Sequence, residues 1–167
     1  MSITDPGERD GLTGVATMEA LLGILGEALD RRQPDGPRVG LICIDVGGMA
    51  AVNRVLGLTV GDAVLLGVAD RLREGVRGKD PIGRWGGGFV VCLAQVLPAS
   101  ALATAERLRR EIASAPVPTP AGAVPIIASL GLALATAEEN VAQLFQRARQ
   151  AVAVAKTAGG DRVILAD

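Results

Sequence analysis

The chain reads as α+β, a central, mostly antiparallel sheet with helices packed around it. Apolar residues recur at helical spacing in several separate stretches. Continuous apolar runs, the clearest being Val39 to Ile44, have the character of buried strands. Two short apolar segments flank the triple glycine Gly86-Gly87-Gly88 like the arms of a β-hairpin, which argues against a purely parallel, doubly wound sheet.

From Ala16 to about Arg32, Met18, Leu21, Leu22, Leu25 and Leu29 line one helical face, and Gln33-Pro34-Asp35-Gly36-Pro37 breaks the pattern. Val39 to Ile44 follows as a central strand ending at Asp45. Gly47 to Leu56 suits a short helix. A longer one is expected to open at Gly61-Asp62, with Val64, Leu65, Val68, Leu72 and Val76 along one face. Gly78 to Pro81 is a turn, and Ile82 to Trp85 with Phe89 to Leu93 make the hairpin. Pro98 to Ser114 is an amphipathic helix with Leu102, Ala105, Leu108 and Ile112 inward. A Pro-rich link through Pro116, Pro118 and Pro120 leads to a strand from Val124 to Leu134. Glu138 to Lys156 is the last helix, and Arg162 to Leu165 the last strand.

Size and composition narrow the chemistry. The chain has 167 residues, enough for one domain with a real core. Only 2% of residues are aromatic, so the core is built from Ala, Val, Leu and Ile and offers few platforms for stacking bases. A formal charge of −1 speaks against nucleic acid as a partner, since duplex binding needs a clustered basic surface. No apolar run reaches membrane-spanning length and no signal peptide opens the chain, so no membrane association and a cytoplasmic location are expected. Residues 1–9 read as a loose polar tail, and residues 10–167 as the domain. There is no histidine, which excludes Ser-His-Asp triads and His-ligated zinc. Cys43 and Cys92 lie inside apolar strand-type runs and read as small buried hydrophobes.

Five motifs, in order, resemble the GGDEF domain, the catalytic module of diguanylate cyclases. They are Asp10-Gly11-Leu12-Thr13-Gly14; the stretch from Leu41 to Asp62 ending in Gly-Asp; Arg84-Trp85-Gly86-Gly87-Gly88-Phe89; Ala128-Ser129-Leu130-Gly131-Leu132-Ala133; and the segment from Ala148 to Val163. The resemblance runs from about Asp10 to the C-terminus. It implies a nucleotidyl-cyclase-like fold related to polymerase palm domains, and a reaction in which two subunits each bring one GTP to make cyclic di-GMP.

The resemblance also implies where the chemistry would sit. Condensing GTP needs Mg²⁺ held by several oxygen ligands, carboxylates among them. Asp45 matches the first acidic position, but Gly47 stands at the second. The hairpin has Gly-Gly-Gly-Phe in place of Gly-Gly-Asp-Glu-Phe, one residue shorter and without a carboxylate. The phosphate-contacting Lys of the family is Ala50, and the Arg after Lys156 is Gly160. The domain is therefore degenerate: cyclase activity is expected to be lost, with no catalytic residue and no bound Mg²⁺. Asp45 is left as a remnant metal ligand, or as a plain strand-end acid or helix cap. Lys156 is left as the remnant phosphate ligand.

Two recognition sets remain. Asn53 and Asp62 match the family's guanine-binding pair, an amide for the O6/N7 side and a carboxylate accepting from N1–H and N2–H₂. Equally, Asn53 suits a helix surface and Asp62 an N-cap. Arg77-Gly78-Lys79-Asp80 matches the Arg-x-x-Asp inhibitory site, which binds cyclic di-GMP away from catalysis in active members, and Arg107 fits the second arginine of that site. A guanidinium suits guanine N7/O6 or phosphate, and a carboxylate suits the Watson–Crick edge. The reading drawn from the sequence is a cyclic di-GMP receptor that uses Arg77, Asp80 and Arg107. The alternatives are a GTP- or GDP-sensing module that uses Asn53, Asp62 and Lys156, or a nucleotide-independent interaction domain. A protein partner or a homodimer is expected in each case.

Overall fold

A computed structural model describes residues 6–76, 78 and 80–167. Five helices and a five-stranded sheet form three layers. Helix α1 spans Met18–Asp30, β1 Arg38–Val46, α2 Met49–Leu56, α3 Leu58–Gly75, β2 Ile82–Trp85, β3 Gly88–Val96 and α4 Pro98–Ala113. Two short strands follow, β4 Val117–Thr119 and β5 Gly122–Val124, then β6 Ala128–Leu134, α5 Val141–Thr157 and β7 Arg162–Leu165.

The sheet order is β2-β3-β1-β6-β7. Every pairing is antiparallel except β6 with β7, so the sheet is mostly antiparallel, as expected. Strand β1 is central, and its alternate residues serve two cores. Ile42, Ile44 and Val46 face α3 and α4, meeting Val64, Val68, Leu72, Ala105, Leu108 and Ile112. Val39, Leu41 and Cys43 face α1 and α5, meeting Leu21, Leu25, Leu29, Leu144 and Ala148. Burial on both faces explains why this strand reads as a continuous apolar run rather than an alternating one. Each fully buried leucine contributes about 1.5–3 kcal/mol of transfer free energy, so these faces and not helix propensity hold the layers together.

Local signals set the helix ends. The Thr17 hydroxyl accepts from the Ala20 amide at 3.1 Å and opens α1. Asn140 and Gln143 form a reciprocal capping box that opens α5. The expected start of that helix at Glu138 is therefore early by three residues.

Three other expectations are corrected. Helix α3 begins at Leu58, not at Gly61-Asp62, because Gly57, at φ +92°, joins it directly to α2. Asp62 thus lies inside the helix and is not its N-cap. Leu102 is exposed, and the inner face of α4 is Ala101, Thr104, Ala105, Leu108 and Ile112. The Pro-rich link is itself a strand: β4 and β5 pair as a small hairpin, and the expected strand from Val124 divides into β5 and β6.

Residues 1–5 of the expected tail lie outside the described residues. Further on, the Thr17 amide donates to the Glu8 carbonyl at 2.8 Å, and Arg9 bridges to Ala16. Among the described residues no helix is long and apolar enough to cross a membrane. Both cysteines are buried, and burial pushes each thiol up to about 12.

Candidate functional site

The end of β1 is the centre of the site. Asp45 lies between two sheet neighbours at the same level, Gly88 of β3 and Ser129 of β6. All three belong to the face covered by α5, and the last turn of α5 brings Lys156 over them. Lys156 Nζ lies 3.4 Å from Asp45 Oδ2. With Gly47, Gly48, Met49, Ala50, Gly87, Ser129 and Gly160 these two residues line an open cleft of about 520 Å³. Among the described residues, the one carboxylate and the one ammonium lining this cleft are therefore paired with each other.

The hairpin closes as a two-residue turn, Gly86-Gly87, with Trp85 paired to Gly88. Gly86 sits at φ +53°, a conformation glycine adopts without steric cost. Gly88 is bare for a harder reason. A Cβ there would overlap the Ile44 carbonyl oxygen and lie 3.2 Å from the Asp45 Cα. A side chain at position 88 has no room unless the backbone of β1 or β3 moves. Gly47 is similar: a Cβ there would meet Ile127 Cγ1 at 3.1 Å, and the Gly47 amide already donates to the Ile127 carbonyl at 2.8 Å. Among the described residues no group of three or more Asp, Glu, Cys or His gathers in a way that could hold a metal ion.

The hairpin is anchored from the start of the domain. Asp10 accepts from the Thr13 hydroxyl at 2.6 Å, from the Thr13 amide at 2.9 Å and from Arg84 Nη1 at 3.2 Å. Arg84 Nε also donates to the Gly86 carbonyl at 2.7 Å, so one guanidinium ties the Asp10 turn to the glycine turn. Burial pulls the Asp10 carboxyl upward, but the Thr13 hydrogen bonds and the Arg84 charge outweigh it and leave the group below its usual value.

The Asn53 side chain packs against Gly61 of α3. A Cβ at Gly61 would overlap the Asn53 amide, and the same position touches Met49 Cε at 3.5 Å. Helix α2 therefore lays Met49 and Asn53, one turn apart, against the start of α3, with exposed Asp62 next in sequence. Met49 lines the cleft, whereas Asn53 and Asp62 are not among its described lining residues.

The second set is only partly described. Arg77 and Lys79 lie outside the described residues. Arg107 donates through Nε and Nη2 to the Gly75 carbonyl, at 3.1 and 2.8 Å, and so reaches the C-terminal end of α3 immediately before this turn. Asp80 is half-buried and near enough to Cys92 for its charge to raise that thiol further. Away from both sets, Val55 and Leu58 stand 72% and 71% exposed at the α2–α3 junction.

Ser129 is the residue the sequence did not single out as a ligand. It is 4% exposed, it lines the cleft, and its hydroxyl has no hydrogen-bond partner among the described residues. Its only sequence signal is a hydroxyl in an otherwise apolar strand. The register that sets it beside Asp45 is a long-range pairing of β1 with β6.

Comparison with known proteins agrees with the fold. The family model described as "Diguanylate cyclase, GGDEF domain" matches residues 8–162. Diguanylate cyclase DgcP of Pseudomonas aeruginosa is 35% identical over 169 residues, which takes in 99% of this chain and 24% of DgcP. The chain thus spans about a quarter of that relative's length. The diguanylate cyclase SiaD of Pseudomonas aeruginosa, solved in complex with its activator SiaC, is 32% identical with a TM-score of 0.89, over 95% of this chain and 61% of that one. The GGDEF domain of DgcB from Caulobacter crescentus, solved in complex with c-di-GMP, shares the fold at a TM-score of 0.89 and 23% identity, over 98% of both chains. Motif order, sheet topology and these similarities lead to one conclusion: the chain belongs to the GGDEF domain family.

Proposed function

We propose that this GGDEF domain has no cyclase activity and works as a receptor that binds cyclic di-GMP through Arg77, Asp80 and Arg107. The observation that carries the proposal is the placement of Arg107. Its guanidinium reaches across from α4 to the end of α3, two residues before Arg77 in the sequence. A fork held there can turn from a backbone carbonyl to a guanine or a phosphate, which offers stronger, charge-assisted acceptors.

Loss of catalysis is supported by the cleft. Mg²⁺ needs several hard oxygen ligands in near-octahedral array. The residues present do not fit it: one carboxylate, already neutralised by Lys156, faces glycines at 47, 87 and 88. In this reading a protein partner or a second copy of the chain receives the signal, and exposed Val55 and Leu58 offer an apolar contact for it.

Incubation with GTP and Mg²⁺ or Mn²⁺ is expected to give no cyclic di-GMP. Added cyclic di-GMP is expected to raise the melting temperature of the wild type but not of Arg107→Ala. Product formation, or an equal shift in both proteins, contradicts the proposal.

A second reading, guanine-nucleotide binding at Asn53, Asp62 and Lys156, is favoured by a specific observation. Asn53 packs on Gly61, one turn along α2 from Met49, which lines the cleft that Lys156 borders, and exposed Asp62 follows Gly61 in sequence.

A further inference from the structure

We infer that the α2–α3 junction is an interface between two copies of this chain, related by a two-fold axis, in which Arg54 of one copy meets the partner's Asp62. The inference rests on the reading above of Val55 and Leu58 as an apolar contact, and it names what that contact meets.

The local chain path makes the patch. Gly57, at φ +92°, turns α2 directly into α3, and Asn53 packs on Gly61 across the turn. Polar Asn53 and bare Gly61 thus take the inner side of this helix pair. Val55, Leu56 and Leu58 are left at its tip, all exposed. Three large apolar residues within four consecutive positions mark a contact surface rather than scattered exposure. Leu66, also exposed, follows Leu58 by two helical turns with Asp62 midway, so the stripe continues along α3. None of these residues lines the cleft at the end of β1, so the interface is distinct from it.

Charge names the occupant. Arg54 on α2 and Asp62 on α3 are both exposed, and they flank the tip in sequence. Neither has a hydrogen bond or an ion pair among the described residues. In a two-fold interface, residue i meets j while j meets i. One unmatched cation and one unmatched anion therefore find their complements twice when a second copy docks. A partner of another sequence needs no such balance. The formal charge of −1 also lets two copies approach without long-range repulsion.

The other exposed apolar group differs on this point. Leu97, Leu102 and Leu165 are exposed on the α4 and β7 side of the domain. There Glu106, one turn from Leu102, is held by Arg109, which also holds Asp161 at the start of β7. Those opposite charges are satisfied within one chain. At the α2–α3 junction they are not. Six residues are far fewer than the roughly 20–30 a side of a standard interface, so the dimer is weak and depends on concentration.

The test is sedimentation velocity of the full chain without nucleotide, from micromolar to submillimolar concentration. Wild type is expected to pass from monomer to dimer across this range. Leu58→Asp, Arg54→Asp and Asp62→Arg are each expected to weaken the dimer by at least about tenfold. An equimolar mixture of Arg54→Asp and Asp62→Arg is expected to recover it. One then carries two carboxylates and the other two guanidiniums, and a folding defect in either would not be rescued by mixing. Wild type that stays monomeric overturns the inference and leaves the face to a different protein. A dimer unchanged in all three variants lies elsewhere and overturns it too. A mixture no more associated than its components overturns the pairing of Arg54 with Asp62. Cyclic di-GMP binding, titrated on the same samples, is scored separately. A monomer that binds it sinks this inference alone, and a dimer that does not bind it sinks the receptor reading alone.

Discussion

Lys156 stands over Asp45, with Nζ 3.4 Å from Oδ2, and takes up the one carboxylate that the end of β1 still offers. The pair is open to solvent, at 56% and 31% exposure. Exposed pairs contribute little to folding, so Lys156→Met is expected to change unfolding free energy by less than about 1 kcal/mol. Urea denaturation measures this, and a loss of several kcal/mol would give Lys156 a structural role instead.

Gly88→Glu is not expected to restore a cyclase. The new Cβ would overlap the Ile44 carbonyl oxygen, so the substitution strains the junction of β1 and β3. Overpacking of this kind costs about 1–3 kcal/mol, a drop of several degrees in melting temperature for a domain this size. Replacing Gly88 with the dipeptide Asp-Glu lengthens the hairpin and is expected to be better tolerated. It should still yield no product, because Gly47, Ala50 and Gly160 remain unchanged. Calorimetric melting with a product assay separates the two variants.

Asp10 predicts a pH dependence. Its folded-state carboxyl titrates below the usual 3.8, so its contribution is fully present above that value. As pH falls below 3.8 and through the lower folded value, the contribution is lost. Asp10→Asn is expected to cost about 1–2 kcal/mol at pH 7, with the gap to wild type narrowing below pH 3.8. Unfolding measured at neutral pH and below pH 4 checks the sign. A gap that widens in acid contradicts it.

The two thiols give a simple test of the core. With both pushed up to about 12, Cys43 and Cys92 are expected not to react with a thiol reagent at pH 8 in the native state and to react fully in denaturant. Rapid native labelling of either would mean that the α1/α5 face opens readily.

What was legible in the sequence follows physical range. Periodicity placed α1, α4, α5 and the strands of the five-stranded sheet, though not the β4–β5 hairpin, because apolar spacing is a local record of burial. The start of α3 was misplaced because Gly57 permits a tight junction between two helices, whereas Gly61-Asp62 only looks like a start. Leu102 was misassigned because small Ala101 and Thr104 fill the inner face of α4 instead. At the site, Asp45, Lys156, Asn53 and Asp62 were named from motif order. The Asp45–Lys156 ion pair and the Ser129 hydroxyl were not, because both depend on how β6 and α5 return to the end of β1. The steric bar at Gly88 was hidden for the same reason: it comes from the carbonyl of Ile44, forty-four residues earlier.

The central claim is that the Arg-x-x-Asp side of the domain binds cyclic di-GMP. Isothermal titration of the chain with cyclic di-GMP tests it most directly. The account predicts saturable heat with the wild type and a loss of at least about tenfold in affinity in Arg77→Ala, Asp80→Ala and Arg107→Ala. No heat with the wild type, or equal affinity in all three variants, contradicts it.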